Sequence, residues 1–186
     1  VGNAGTGLLL AILLNSVKNK TVKRIYLTLL FCPYMMMPVA VAKLFRQIYD
    51  PYFGLINNLL ESLGLKSWTR VWLGDPQLTV FCVWVACWWM FISINMIIFY
   101  AGLQGIDPAL YEAAQIDGAG RLSSFMHITI PSLRPVIMVI FTLVTMGAFK
   151  VFDIFWVLGG GSPLPSFFQV IATMQYEWGW WWNYFG

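Results

Sequence analysis

The residues able to carry acid–base, metal or nucleophilic chemistry are few in this chain and lie far apart. His127 is the single histidine and has neither a carboxylate nor a cysteine beside it, so neither an H-E-x-x-H zinc site nor a histidine-based dyad is predicted. Cys32, Cys82 and Cys87 stand in apolar segments and are expected to pack as small buried thiols. Because no G-x-x-x-x-G-K-S/T phosphate loop occurs, ATP hydrolysis of that kind is not expected. This inventory predicts a chain that is not an enzyme.

Two charged residues stand out because they fall in an otherwise apolar segment, 132–158. Lys150 and Asp153 are one helical turn apart, which predicts a pair on one helical face. A charge near the middle of a membrane helix costs about 2.5–3.5 kcal/mol, so it is seldom kept without a cavity, a partner or a pathway. Two interpretations stay open: the pair lines a polar path, or it is an internal structural ion pair.

Composition places these residues in a membrane. Hydrophobic residues make up 59% of the chain and charged residues 10%, whereas soluble proteins average roughly 25% charged. A water-soluble chain of this length cannot bury so much apolar surface. The net charge of +3 is too small and too dispersed to indicate a nucleic-acid partner. The sequence therefore predicts an all-α protein, a polytopic bundle of transmembrane helices in one domain that is surrounded by the lipid bilayer.

Apolar segments of membrane length alternate with polar connections. The predicted spans are 25–48, 78–103 and 132–158. Residues 1–14 are apolar but shorter than the roughly 20 residues that cross a bilayer, so they are expected to be the end of a cut span. No further span follows the aromatic residues at 178–185, and the chain is therefore expected to be truncated at both ends. Pro33 and Pro38 predict a break or a kink in the span 25–48.

The basic residues set the predicted orientation. Lys18, Lys20, Lys23 and Arg24 crowd the short connection before the span 25–48, which places that connection in the cytoplasm by the positive-inside rule. The loops 50–76 and 159–186 are then external, and the loop 104–131 is cytoplasmic.

The external loop 50–76 is expected to contain a short amphipathic helix. Its predicted apolar face consists of Leu55, Ile56, Leu59, Leu60 and Leu63. Its predicted polar face consists of Asn57, Asn58 and Glu61. Gly64 is placed to end the helix, and the indoles of Trp68 and Trp72 suit the level of the lipid headgroups.

The longest segment that is neither apolar nor loop-like is 103–135, and it predicts a helix, a sharp turn and a second helix. Asp107 can cap the first helix and Pro108 suits its first position. Gly118 and Gly120 are expected to allow a left-handed exit, with the second helix starting near Leu122. Small side chains around this turn would let the surface of a partner approach the backbone, so the segment is interpreted as a docking element.

These residues also carry a family resemblance. Glu112-Ala113-Ala114, Gly118 four positions later, Ile128 and Pro131 reproduce the EAA loop of binding-protein-dependent importer permeases, with Ile130 where Leu is usual. Further similar stretches are GLINNLL at 54–60, AGLQ at 101–104 and FKVFDIFWVLGGGSP at 149–163, where relatives usually have Thr in place of Gly159 and Gly in place of Ser162. The chain thus resembles the carbohydrate branch of that family over nearly its whole length.

The resemblance implies the type I fold of an ATP-binding cassette importer permease and a set of site residues. The residues expected to couple the chain to an ATPase are Tyr111, Glu112, Ala113, Ala114, Asp117, Gly118, Ala119, Ile128 and Pro131. The residues expected along the substrate path are Met90, Phe91, Ile94, Asn95, Phe149, Lys150 and Asp153. The polar residues that contact sugar in the maltose-type relatives are not reproduced. The aromatic series Trp84, Trp88, Trp89 and Phe91 admits two interpretations, helix packing or a wall for a sugar.

The resemblance also implies partners and a location. The expected partners are a second permease subunit, two cassette ATPase subunits, which would bind the ATP and Mg²⁺, and an external solute-binding protein; this chain would bind no cofactor. The expected location is the cytoplasmic membrane of a bacterium or archaeon. A sugar or related polar solute is the predicted cargo. The alternatives are a permease for a glycerol phosphate ester, an ion-coupled secondary carrier with Lys150 and Asp153 as coupling groups, and a membrane scaffold that does not transport.

Overall fold

The computed structural model describes the backbone of residues 2–161 and 164–185, and side chains as far as residue 179. Helices and no strands occur in these residues, so the all-α prediction is confirmed. The helices are α1 (Gly2–Ser16), α2 (Lys20–Met35), α3 (Pro38–Ile48), α4 (Leu55–Ser62), α5 (Pro76–Gln104), α6 (Pro108–Ile116), α7 (Arg121–Ser124), α8 (Ile130–Ser132), α9 (Arg134–Lys150), α10 (Asp153–Gly159) and α11 (Ile171–Phe185). Short 3₁₀ turns occur at Lys66–Trp68 and Ser166–Phe168.

The chain divides into two compact units. The first contains Val1–Tyr34 and Phe91–Thr145, and the second contains Met35–Met90 and Met146–Gly186. The first unit holds most of α1, α2 and α9, the C-terminal part of α5, and α6 to α8, which together include the predicted coupling loop.

The first unit is built on close helix packing. Its buried core residues are Ala11, Leu14, Met96, Phe99, Leu103, Leu133 and Ile140. A Cβ at Gly7 of α1 would lie 2.9 Å from Cβ of Asn95 and 3.1 Å from the backbone nitrogen of Met96, so α1 and α5 approach almost to backbone contact. The absence of a Cβ at Gly7 and the small side chain of Ala11 therefore allow α1 to cross α5 this closely.

The second unit packs α3 against α10. The guanidinium of Arg46 on α3 donates a hydrogen bond of 3.4 Å to the carbonyl of Val157 near the end of α10. Gly160 ends α10 in the left-handed region at φ +91°. A cation at the C-terminal end of a helix also complements the partial negative charge there. Arg46 thus caps a helix that is distant in sequence.

The predicted span 25–48 is divided into α2 and α3. Pro38 occupies the first turn of α3, where its missing N–H is no loss, and Met37 before it is extended at φ −62° and ψ 137°. Pro33, by contrast, lies inside α2. The predicted break is therefore made by one of the two prolines.

The predicted span 132–158 is also interrupted, because α9 ends at Lys150 and α10 begins at Asp153. Lys150 and Asp153 do not share one helix, and no salt bridge joins these two described residues. The predicted pairing on one helical face is wrong. Instead, Lys150 lies in the last turn of α9 and Asp153 in the first turn of α10, where each charge has the sign that complements the adjacent helix end.

The length and composition of the described helices bear on the predicted spans. Over the described residues, Pro76–Gln104 alone is long and apolar enough to cross a bilayer as an unbroken helix, and the number rises to three if the bent pairs Lys20–Met35 with Pro38–Ile48 and Arg121–Ser132 with Arg134–Lys150 each count as one span.

The helix in the loop 50–76 is oriented differently from the prediction. It covers Leu55–Ser62, but its buried residue is Asn57, while Leu55 and Leu59 are exposed. The indole of Trp72 donates to Asn57. Trp72 is thus tied to Asn57 within this loop, and its place among lipid headgroups stays a prediction.

The predicted external loop 159–186 contains the helix α11, which runs over Ile171–Phe185. Ser162 and Pro163 of the GGGSP stretch lie outside the described residues, as do the side chains of the aromatic residues from 180 onward.

Candidate functional site

The predicted coupling loop begins with a capped helix, α6. The side chain of Asp107 accepts a hydrogen bond of 2.9 Å from the backbone N–H of Ala109, and Pro108 occupies the first helical position. The predicted start of this helix is confirmed. The local sequence suffices here because an N-cap depends on side chains within three residues of the helix start.

One glycine makes the turn after α6. Gly118 has φ +77°, its N–H bonds to the carbonyl of Gln115 at 3.1 Å, and the N–H of Ala119 bonds to that of Ala114 at 2.8 Å. This pair of bonds is the Schellman motif. Gly120 was expected to share the task but has φ −72° and ψ 168°, an extended conformation open to any residue, at the start of α7. The left-handed exit therefore depends on Gly118.

The predicted coupling residues divide between two faces of α6 and the turn. Glu112, Ala113, Asp117 and Gly118 are exposed, whereas Tyr111, Ala114 and Ala119 are half-buried. The exposed face also carries two large apolar side chains, Ile116 and Leu122, that are not among the predicted coupling residues. Ile116 is 86% exposed and Leu122 is 73% exposed. Two large apolar side chains thus stand far out of an otherwise polar turn.

The half-buried face is tied to the second helix of the loop. The hydroxyl of Tyr111 lies 2.8 Å from Oγ1 of Thr129, and Thr129 is only 5% exposed. Thr129 was not among the predicted residues. No local pattern points to it, since its partner is 18 positions earlier.

The second helix of the loop is irregular and bent. Phe125–Thr129 forms a π-helical turn, with the N–H of Ile130 bonded to the carbonyl of Phe125. Helix Arg121–Ser132 then meets α9 at an angle of 63°. Pro131 and Pro135 explain the bend because each removes an N–H from the helical ladder and pushes against the preceding turn. The predicted residues Ile128 and Pro131 thus lie where the chain turns from the loop into α9.

A cavity of about 400 Å³ adjoins the half-buried face of α6. Its lining residues are Ile12, Asn15, Leu103, Tyr111, Gln115, Ala119, Arg121, Ser124, Phe125 and Thr129. Its lining thus comes from α1, from the end of α5 and from the predicted coupling loop, and it is open to solvent.

The predicted substrate-path residues fall in both units. Phe91, Ile94 and Asn95 belong to the first, and Met90, Phe149, Lys150 and Asp153 to the second. Asn95 is 3% exposed, and its Nδ2 has no hydrogen-bond partner in the described part of the chain. A buried amide N–H without a partner costs roughly 1–3 kcal/mol, so this group is a candidate for bonding a solute.

Aromatic side chains of the second unit form several groups. Trp84 stacks on Phe81 and on Trp88, with ring centroids 6.0 and 6.2 Å apart. Trp89 packs edge-on against Phe45 with ring centroids 5.6 Å apart, which favours the packing interpretation for this residue. Trp156 lies 5.1 Å from Phe152 and 5.0 Å from Tyr176. This group around Trp156 of α10 joins the N-cap residue Phe152 to Tyr176 of α11, and it was not predicted. Aromatic faces suit the C–H surfaces of sugars.

Comparison with known proteins defines the class to which this fold and loop belong. A family model described as binding-protein-dependent transport system inner membrane component matches residues 5–182. A probable ABC transporter permease protein of Bacillus subtilis (strain 168) is 34% identical over 92% of this chain and 58% of its own length. The trehalose/maltose transport system permease protein MalF of Thermococcus litoralis is 37% identical over 84% of this chain and 52% of its own length.

A third relative is named for a different solute. The sn-glycerol-3-phosphate transport system permease protein UgpA of Yersinia pestis is 36% identical over 94% of this chain and 58% of its own length. Among solved structures, a bacterial ABC transporter involved in the import of the acidic polysaccharide alginate matches 97% of this chain and 62% of its own chain, with TM-score 0.84 and 28% identity. A second alginate transporter structure, in complex with an alginate pentasaccharide-bound periplasmic protein, matches with TM-score 0.83.

The chain therefore belongs to the family of binding-protein-dependent transport system inner membrane components. Its predicted permease fold is confirmed by the likeness to the alginate transporter. It spans about half the length of the curated relatives it matches, between 52% and 58% for the three named above.

Proposed function

We propose that this chain is part of a permease subunit that carries a sugar or a related polar solute across a bacterial or archaeal cytoplasmic membrane, driven by separate cassette ATPases. The observation that carries the proposal is the coupling loop. Its capped helix, its turn at Gly118 and its exposed Ile116 and Leu122 present a rigid apolar knob with an acidic rim. Such a knob fits a groove on a partner protein, and the family name implies a transporter with separate parts.

The proposed assembly has four kinds of component. A second permease would complete the translocation path, two ATPases would bind ATP and Mg²⁺ and receive the coupling loops, and an external binding protein would deliver the solute. The alginate transporter with its periplasmic protein supports the last component. This chain would bind no cofactor and catalyse no reaction of its own. Closure of the ATPases would move the coupling loop and turn the path from one side of the membrane to the other.

A glycerol phosphate ester is the second candidate cargo, because the Yersinia relative is named for sn-glycerol-3-phosphate. The names of the Thermococcus relative and the alginate transporter favour carbohydrate. Uptake by proteoliposomes that contain the complete transporter separates these cargoes. We expect labelled oligosaccharide to enter only with ATP, the ATPases and the binding protein, and a large excess of glycerol 3-phosphate to leave uptake unchanged. Uptake that needs no ATP and stops with an ionophore would instead indicate an ion-coupled carrier.

We further propose that Asn95 contacts the solute. Its buried Nδ2 has a free donor in the described structure, and a solute hydroxyl or ring oxygen could accept from it. Replacing an unpartnered amide by Leu of similar size is expected to be neutral or stabilising for the fold. The Asn95→Leu variant should therefore assemble normally while its solute affinity falls by about twofold to tenfold, the equivalent of one neutral hydrogen bond. Unchanged affinity would exclude Asn95 from the path.

Lys150 and Asp153 are proposed path residues for a different reason. Both are exposed at the break between α9 and α10, and they form no salt bridge with each other, so neither depends on the other for neutralisation. The double variant Lys150→Met, Asp153→Leu should insert and assemble but transport slowly. Lys43→Met, which removes another exposed lysine from a predicted span, is the control and should transport normally. Transport at the wild-type rate by the double variant would exclude both residues from the path and would limit their role to complementing the helix ends.

A further inference from the structure

The hydrogen bond between Tyr111 and Thr129 joins two separate parts of the coupling loop. Tyr111 directly precedes Glu112 on α6, and Thr129 ends the π-helical turn that leads to the bend before α9. Their hydroxyls are 2.8 Å apart. Within the described residues, this is the only side-chain hydrogen bond that joins α6 to another helical element. It therefore connects the two arms of the loop across their turn.

The cavity beside α6 makes a connection between the two arms of the loop necessary. The space of about 400 Å³ lies against Gln115 and Ala119 on the same side of α6 as Tyr111. Where a cavity takes the place of packed side chains, dispersion contacts that would resist displacement are missing. A load on the exposed face of α6 could then push this helix into the cavity, and the movement would be lost before it reached α9.

The π-helical turn is the point at which a load can be passed on. Such a turn carries one residue more than an α-helical turn and is weaker in its hydrogen bonding. Pro131 lacks an N–H, so the carbonyl of His127 has no α-helical donor in this ladder. Thr129 is the last residue of this turn and stands two positions before Pro131. A displacement applied at Thr129 is therefore converted into a change of the bend at Leu133.

We propose that Tyr111 is a positioning residue for coupling, and that its hydrogen bond to Thr129 is the strut that makes α6 and the π-helical turn move together. The bond holds α6 against collapse into the cavity and delivers the movement of the loop to α9. This inference rests on the proposed function, because it assigns a mechanical part within ATP-driven transport.

The test uses the complete transporter and the number of solute molecules carried per ATP hydrolysed. Tyr111→Phe and Thr129→Val each remove one hydroxyl and nearly preserve shape. We expect each to lower this ratio by about threefold to tenfold, in line with one neutral hydrogen bond. The ATPases should still co-purify, and the rate of ATP hydrolysis should be kept. The double variant should be no worse than either single variant, while Thr129→Ser, which keeps the hydroxyl, should couple normally.

A rescue experiment separates the strut from a simple structural role. Ile12 lines the cavity from α1, so Ile12→Phe should fill part of the space and restore coupling in the Tyr111→Phe background. Leu13→Phe is the matched control, since Leu13 is 55% exposed and does not line the cavity. It should restore nothing.

The results that would contradict the strut differ from the result that would contradict the proposed function. Wild-type ratios in Tyr111→Phe and Thr129→Val, or additive losses in the double variant, would overturn the strut. Release of the ATPases by these variants would also overturn it, since the hydroxyl would then act in docking. If the wild-type transporter takes up no solute with ATP, the proposed function itself fails, and this result is distinct because it appears before any substitution.

Discussion

The indole nitrogen of Trp72 donates a hydrogen bond of 2.8 Å to Oδ1 of Asn57, a side chain that is only 5% exposed. Because an indole N–H can only donate, this contact fixes the orientation of the Asn57 amide. The Nδ2 group then donates to the carbonyls of Pro51 and Arg70 at 3.0 and 3.1 Å. One side chain therefore fastens the helix α4 to both flanks of the loop 50–76.

Asn57→Ala should loosen this loop. The substitution leaves the Trp72 indole and two carbonyls without their partner, at about 1–3 kcal/mol for each group that water cannot reach. Hydrogen exchange and proteolysis within 50–76 should accelerate while the spans stay protected. Asn58→Ala is the control, because Asn58 is exposed and bonds only to the carbonyl of Phe53. Equal effects of the two substitutions would contradict a central role for Asn57.

Gly102 is predicted to be intolerant of any side chain. A Cβ there would lie 2.9 Å from methyl groups of both Leu133 and Val136, where α5 packs on the start of α9. Gly102→Ala should lower the free energy of unfolding by about 1–3 kcal/mol through overpacking. The control is Gly147→Ala in α9, where a Cβ meets nothing within 4 Å. That variant should gain about 0.4–1 kcal/mol by restricting the unfolded chain. Thermal unfolding in detergent measures both, and a stable Gly102→Ala variant would show that Leu133 and Val136 can move aside.

Gly118→Val should separate ATP hydrolysis from transport. The residue has φ +77°, and a β-branched side chain there costs on the order of 1–3 kcal/mol, enough to distort the turn that shapes the proposed docking knob. The protein should insert into the membrane and lose uptake while the ATPases remain active. Gly120→Ala, at φ −72°, should transport normally. If Gly118→Val retains its ATPases and transports at the wild-type rate, the knob does not depend on this turn.

Acid should loosen the start of the loop 50–76. The carboxylate of Asp50 accepts hydrogen bonds from the backbone N–H groups of Phe53 and Tyr52 at 2.8 and 2.9 Å, which lowers the pKa of Asp50 below its usual 3.8. The contribution of this turn to stability is therefore complete above pH 3.8 and is lost as the pH falls through the lowered pKa of Asp50. Amide exchange at Tyr52 and Phe53, corrected for its intrinsic pH dependence, should report this change. Asp50→Asn should remove it, and a pH response that survives that substitution would have another source.

Predictions from the sequence succeeded where structure depends on residues close together in the chain. The cap at Asp107 and the left-handed Gly118 follow from rules that span a few positions. They failed where a distant contact decides. Helical spacing identified α4 but not its covered face, because Trp72 and the backbone of Arg70 draw Asn57 inward. Likewise, 151–152 contain neither proline nor glycine to announce the break that separates Lys150 from Asp153.

Thr129 shows the same limit within the candidate site. It stands beside residues that the EAA pattern selects, yet its partner Tyr111 is brought to it only when the turn and the π-helical segment have formed. The pattern locates the loop, and the contact across the loop emerges from the fold.

The break between α9 and α10 has a consequence for protein engineering. Since α10 is fixed by Arg46 at one end and begins anew at Asp153, its position does not depend on an unbroken helical register with α9. Changes of length at 151–152 can therefore alter the connection that follows Lys150 and leave α10 seated on α3. Short insertions and deletions at these two residues are therefore a suitable library in which to select for altered cargo.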